Sequence, residues 1–361
     1  MRATLPSRDA TVAIITPSAP SHPKERRAPK KARGAVLARV PVSWFAIAVG
    51  VFGLGSAWRA ASQLWMLPSA IGEGVMAIGA VTWLGISASY GGKWIFARTA
   101  ARSEANHPIH GCFAALAPMS VMLAALAARP YAASLAHVLY WTGAIGQASF
   151  MVYRTGTLWG GGRDPQSTTP VLYLPAVAGS FVSAIVSAAL GYHTMGMMLF
   201  GIGFFSWLAL ESVMWHRLLV GEPLVGPLLP TLGILLAPPV VGCAAYLGLT
   251  SGPVDQFALT LFGYGLLQAS VLLRLAPRFR AQSFITSYWA FTFGVSGLAL
   301  TAIRIAARAP TDTSGEGLRY FAALLFVTAN VVVGTIVVRT ILLAAHGRLL
   351  PPVVRETVPR G

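Results

Sequence analysis

Glu211, in the segment WLALESVMWHRL, is the deepest carboxylate in an otherwise apolar run. At that depth it could couple proton uptake to transport, or bond a neighbouring helix or a second subunit. Arg59 and Arg304 lie near the ends of two other apolar runs. A guanidinium there would raise the local concentration of anions, or snorkel to the interface. His107, His110, His137 and His193 fall at the ends of apolar runs, with no spacing that makes two of them face each other. That argues against a haem held between helices. Cys112 and Cys243 sit inside apolar runs and read as small hydrophobic fillers, not as a disulfide or metal site. Gly160, Gly161 and Gly162 precede Arg163, but no P-loop lysine or serine follows at the required spacing. These residues give no catalytic constellation, no metal site and no cofactor.

The elements that must hold them are set by composition. The 361 residues are 55% hydrophobic and 11% charged, with mean hydropathy +0.65, the balance of an integral membrane protein. The net charge of +16 does not form a patch interleaved with aromatics, so nucleic acid is not a partner and the charge reads as topology. Residues 1–40 are a basic, proline-rich tail (PSAPSHPKERRAPKKARG) that cannot bury a core and is expected to be disordered. This tail has no apolar region followed by a small-residue cleavage site, so the first span is expected to serve as its own targeting signal.

A span needs about 20 predominantly apolar residues, and ten such runs are present. They cover roughly 44–65, 70–91, 109–127, 132–153, 171–191, 194–215, 228–249, 254–275, 284–305 and 319–343. Tight turns (MLPS, ARPY, YH, SGPV) follow most odd runs and longer polar loops follow the even ones, which predicts five helical hairpins. A cytoplasmic amino terminus leaves only Arg59, Arg129, Arg304, Arg308 and Arg319 on the far side. The positive-inside rule then places both termini, including the tail 349–361, in the cytoplasm.

Proline interrupts spans three, five and seven at Pro118, Pro175 and the pair Pro238 and Pro239, and no even span has one in its interior. Spans one and nine carry Gly53 and Gly294 near the same depth, so the mark recurs about every sixty residues. Proline removes a donor and frees a carbonyl, and lipid cannot satisfy it. The odd spans are therefore expected to bend, to be shielded from lipid and to surround a passage, with the even spans as the outer wall.

The segments PVSWFAIAVGVFGLGSAW, HPIHGCFAALAPMSVML, TGAIGQASF, STTPVLYLPAVAGSFVSA, LGYHTMG, GILLAPPVV, GYGLLQASVLLRL and YWAFTFGVSGLA, in this order and spacing, resemble the tellurite-resistance/dicarboxylate transporter family. This family includes the slow-type anion channels of plant guard cells. The resemblance covers about residues 40–348. It implies an all-α channel domain over 41–348: ten helices in five hairpins with quasi-fivefold symmetry, odd helices inside, even helices outside, and a central pore. It also implies a homotrimer with one pore per subunit in a bacterial inner membrane. The permeants it implies are small anions, chloride, nitrate or oxyanions. A phenylalanine of the ninth helix closes the pore in this family, and the matching residue is Phe293; Gly294 and Gly297 beside it would let the ring and backbone move. Phe291, two positions away, points to another face.

The leading expectation is thus an anion pore with an uncharged wall, not an enzyme. A proton-coupled carrier of C4-dicarboxylates or tellurite-like oxyanions is the alternative, with Glu211 as its titratable group. A membrane redox subunit would need converging His, Cys or carboxylate groups that the sequence does not supply.

Overall fold

The computed structural model describes residues 34–310 and 313–350. Most of the expected tails, 1–33 and 351–361, lies outside the described residues. Residues 34–37 already form a helical turn, and Arg39 Nη2 donates to Leu350 O at 3.2 Å, so the two described chain ends meet on one face. We call this the proximal face and its opposite the distal face.

Among the described residues every regular element is helical. Nine helices are long and apolar enough to cross a membrane: α1 (Val42–Trp65), α2 (Ser69–Phe96), α3 (His110–Ala128), α5 (Pro170–Ala189), α6 (His193–Val220), α7 (Gly226–Leu249), α8 (Gln256–Arg274), α9 (Thr286–Ala307) and α10 (Gly315–Ala345). The expected fourth run forms α4, Ala133–Trp159. At 27 residues it is long enough, but His137, Thr142, Gln147 and Arg154 make it less apolar than the rest.

Burial alternates along the chain. The most apolar stretches of α1, α3, α5, α7 and α9 are 56, 56, 89, 83 and 67% buried. Those of α2, α6, α8 and α10 are only 22, 28, 33 and 28% buried. Ile78, Val138, Phe205 and Leu324 on even helices are more than half exposed, a surface that only lipid hydrocarbon or another apolar partner can cover. Each odd helix packs on its hairpin partner: α1 on α2, α3 on α4, α5 on α6, α7 on α8 and α9 on α10. Each odd helix also touches the next odd one, and α9 touches α1.

The odd crossings change helix type part-way. Each begins at the proximal face as a tight 3-10 segment: Val42–Trp44, His110–Ala115, Pro170–Leu172, Gly226–Leu236 and Thr286–Phe291. In α5 a π segment, Leu174–Ala178, follows. The α-helical half then starts at Phe45, Leu116, Gly179, Ala237 or Thr292. The even helices are α-helical throughout.

This pattern explains the prolines. Pro118, Pro238 and Pro239 occupy the first turn of the α-helical half, where a missing N–H costs least. Pro175 lies in the π segment, and the carbonyl it carries is bonded by Gln147 Nε2 of α4 at 2.7 Å. Gly179 is what allows that reach, since a Cβ there would lie 1.9 Å from Gln147 Nε2. Gly53 differs from the prolines: it lies inside the unbroken α-helix Phe45–Trp65, so it marks a close approach and not a change of helix type.

Candidate functional site

Three cavities succeed one another between the two faces. The proximal chamber, about 100 Å³, takes lining residues from all five odd helices, among them Val49, Met119, Tyr173, Pro238 and Phe293. A middle pocket of about 20 Å³ is lined by Gly53, Leu123, Ile185, Val241 and Phe293, again one from each odd helix. A distal chamber of about 690 Å³ holds Arg59, Glu73, Arg129 and Arg304. Phe293 is common to the first two cavities. Ser56, Leu126 and Leu300 are common to the second and third.

Phe293 stands in the second residue of the α-helical half of α9, just past the 3-10 segment that turns it toward α1. Its ring rests on Gly53, where a Cβ would lie 3.0 Å from Cδ2. Phe291 goes elsewhere: its ring covers Gly233 of α7 and meets the Phe279 ring edge-on at 5.0 Å. Gly294 and Gly297, expected to let the ring and backbone move, are points of close approach to α7. A Cβ at 294 would lie 3.1 Å from Leu236 Cβ, and one at 297 would lie 3.0 Å from Val241 Cγ2. Glycine at both positions lets α9 lie against α7, and the change of backbone falls before them, at Thr292. Of the four prolines only Pro238 lines a chamber; Pro118 faces Gly146 of α4, and Pro239 faces Gly265 of α8.

The distal chamber carries its charge unevenly. Arg59 forms a fork with Glu73, Nε to Oε1 at 2.8 Å and Nη2 to Oε2 at 2.6 Å. Arg59 Nη1 also donates to Leu126 O at 2.6 Å, which ties α1, α2 and α3 together. Its charge is therefore paired with a carboxylate, and the residue clamps the three helices together. Tyr131 donates to the same Glu73 at 2.9 Å, and that bond raises the phenol's pKa. Arg304 donates to Ala244 O at 2.5 Å. Of the two guanidiniums singled out in the sequence, Arg304 is the one with no carboxylate partner among the described residues.

On the proximal side the basic residues act as fasteners. Lys93 is buried and donates to Val40 O and to Glu104 Oε2, both at 2.8 Å, while Glu104 Oε1 accepts from Val42 N at 2.9 Å. Arg154, also buried, donates to Pro108 O at 2.7 Å and His107 O at 3.2 Å. These bonds lock the starts of α1 and α3 to the ends of α2 and α4. His110 lines the proximal chamber, with the His107 ring 4.4 Å away. His137 bonds Tyr192 Oη at 2.9 Å, away from both. Cys112 accepts from Arg154, and Cys243 donates to Ala258 O; both thiols are buried.

Glu211 lines none of the three cavities. It sits where α5, α6 and α8 converge, and Tyr173, Trp207, Trp215, Tyr264 and Gln268 all bond it. Sequence reasoning found the carboxylate and missed this cage. The Arg59–Glu73 fork was also missed, although opposite charges flanking the tight MLPS turn were a signal for it.

Many membrane-capable helices, with successive chambers lined from the buried ones, are the build of a membrane transport protein. The chain belongs to the SLAC1 family, described as "Voltage-dependent anion channel", which matches residues 39–341. It is 33% identical over 310 residues to the Tellurite resistance protein TehA homolog of Haemophilus influenzae, covering 86% of this chain and 92% of that one. It is 27% identical over 315 residues to the S-type anion channel SLAH3 of Arabidopsis thaliana, and 24% identical over 335 residues to the guard cell S-type anion channel SLAC1 of the same plant. The chain spans 48% and 59% of those two plant proteins. The family is one of anion channels and transporters, not of enzymes.

Proposed function

We propose that this protein passes small anions along an axis enclosed by its five odd helices, and that the Phe293 ring closes the path at mid-depth. The observation that carries the reading is that Phe293 is shared by two successive cavities, each lined from all five odd helices. The contacts of each odd helix with the next, and of α9 with α1, support a closed inner ring, with α4 as the tenth crossing and the even helices outside. The middle pocket offers an ion no charged ligand. An anion there would have to shed its water against aliphatic side chains and a ring whose face is negative. Moving the ring aside joins the chambers. The weak, uncharged wall suits conduction, because a permeant must also leave.

A proton-coupled carrier of dicarboxylates or oxyanions is the second reading, favoured only by the presence of one deep carboxylate; that Glu211 lies off the cavities weighs against it. The basic residues on the side of the chain ends support cytoplasmic termini, and a bacterial inner membrane rests on family resemblance. A homotrimer is part of the same proposal, and it rests on family resemblance. The test is the reversal potential of purified Phe293→Ala in planar bilayers under a chloride gradient. Reversal near the chloride equilibrium potential supports the reading; a cation-selective current, or none, overturns it.

A further inference from the structure

Glu211 lies one layer behind the residues that line the chambers, yet it is bonded to one of them. Its Oε2 accepts from Tyr173 Oη at 2.5 Å and from Trp207 Nε1 at 2.8 Å. Its Oε1 accepts from Tyr264 Oη at 2.6 Å, Gln268 Nε2 at 3.1 Å and Trp215 Nε1 at 3.2 Å. An indole N–H can only donate, so with one tryptophan on each oxygen both oxygens act as acceptors. No lysine or arginine pairs with this carboxylate among the described residues. The donors converge on it from three helices.

Of the five donors, Tyr173 is the one that lines one of the three cavities. It is fully buried, at the point where the 3-10 start of α5 passes into the π segment. Such π segments are frequent at functional sites. Tyr173 belongs to the proximal chamber wall, while its hydroxyl is directed into the Glu211 cage. A phenol free to turn into that chamber would donate a charge-assisted hydrogen bond to a passing anion. Beside Ser43, His110, Thr286 and Ser287, which also line the chamber, it would add one more donor to hold the ion.

We propose that Glu211 is a positioning residue for permeation: by engaging the Tyr173 hydroxyl it keeps one further hydrogen-bond donor out of the proximal chamber, so that anions are held there less tightly and pass on. This inference rests on the permeation reading above. It gives the deep carboxylate a role that needs neither proton coupling nor contact with the permeant. It also predicts that discrimination among anions at this chamber is weak in the native protein and is gained when the cage is opened.

The experiment measures single-channel current against chloride concentration in planar bilayers, with Phe293→Ala as the background so that current is measurable. Adding Glu211→Ala is expected to lower the half-saturating chloride concentration by about tenfold, the scale of one charge-assisted hydrogen bond, and to lower the maximal current. Adding Tyr173→Phe to that protein, which removes the hydroxyl, is expected to restore both values. A Glu211→Ala effect that survives Tyr173→Phe, or no effect at all, overturns the proposal. Should Glu211→Ala fail to fold, Glu211→Gln keeps the volume and replaces one acceptor with a donor. It is expected to shift saturation the same way by a smaller factor, and cancellation by Tyr173→Phe decides again. A background protein that carries no chloride current would count against the permeation reading, whereas current without this cancellation counts against the role of Glu211.

Discussion

Removing the Phe293 side chain is the perturbation whose size the structure sets most clearly. The middle pocket measures about 20 Å³, enough for about one water and too small for a hydrated ion. An anion crossing it must lose nearly all of its first shell, and none of Gly53, Leu123, Ile185, Val241 and Phe293 replaces it with a charge. Leaving even a neutral polar group unpaired costs ~2–7 kcal/mol. At ~1.4 kcal/mol per factor of ten, that slows passage by between ~30-fold and ~10⁵-fold, and an ion costs more. Phe293→Ala joins the middle pocket to the proximal chamber, so chloride current per protein should rise at least ~30-fold. The assay is planar-bilayer recording of matched amounts of purified wild type and variant, with melting curves to confirm that both are folded. The ring is only half-buried, so its loss should cost less than the ~3–5 kcal/mol of a fully buried phenylalanine. Equal currents from two folded proteins would refute the reasoning.

Other perturbations test neighbouring links. In the Phe293→Ala protein, Gly53→Leu puts a branched side chain into the space the ring vacated, and should cut the gained current by ~10-fold or more in the same recordings; an unchanged current would place Gly53 off the path. Glu73→Gln breaks the fork with Arg59, leaving a partly buried guanidinium uncompensated. It should lower the stability of the detergent-solubilised protein by about 1–3 kcal/mol and raise anion current at low salt, where the freed charge is least screened. Gln147→Leu leaves the Pro175 carbonyl unpaired and should cost about 1–3 kcal/mol, seen as a lower melting temperature. Asp255 caps α8 through the Ala258 amide, and its bonds with Tyr246 and that amide hold its carboxyl below the usual carboxylate range. Its contribution is thus present above the unfolded pKa of about 3.9 and lost as pH falls through the lower folded value. The melting difference between wild type and Asp255→Ala should narrow in acid.

The layering of the molecule was legible because it follows from composition and from the solvent. Pro118, Pro175, Pro238 and Pro239 fall only in odd runs, and those runs are the buried ones. What the proline does locally was less legible. A sequence shows a lost donor but not the backbone that absorbs it; here a 3-10 or π segment precedes the proline or contains it, and Gln147 answers one carbonyl from another helix. Gly294 and Gly297 show the same limit, since glycine reads alike whether it bends or admits a neighbour, and the close approach of Leu236 and Val241 appears only in the fold. Lys93, Arg154 and Arg217 read as charge bias between faces, yet each is buried and bonded to a backbone carbonyl. The Glu211 cage was beyond reach, because its five donors come from three helices and converge only in the fold.

The central claim is that the odd helices enclose a water-filled path when Phe293 is out of the way. Single cysteines at Val49, Met119, Ala178, Ile234 and Ala290, all in the proximal chamber wall, test it when placed in a Phe293→Ala protein whose Cys112 and Cys243 are replaced. Ile78→Cys and Val138→Cys on the outer surface serve as controls. A membrane-impermeant anionic thiol reagent applied to reconstituted protein should label the five chamber positions, block the chloride current as it does so, and leave the two controls untouched. Labelling confined to the outer positions, or chamber cysteines that stay unreactive in a conducting protein, would contradict the account.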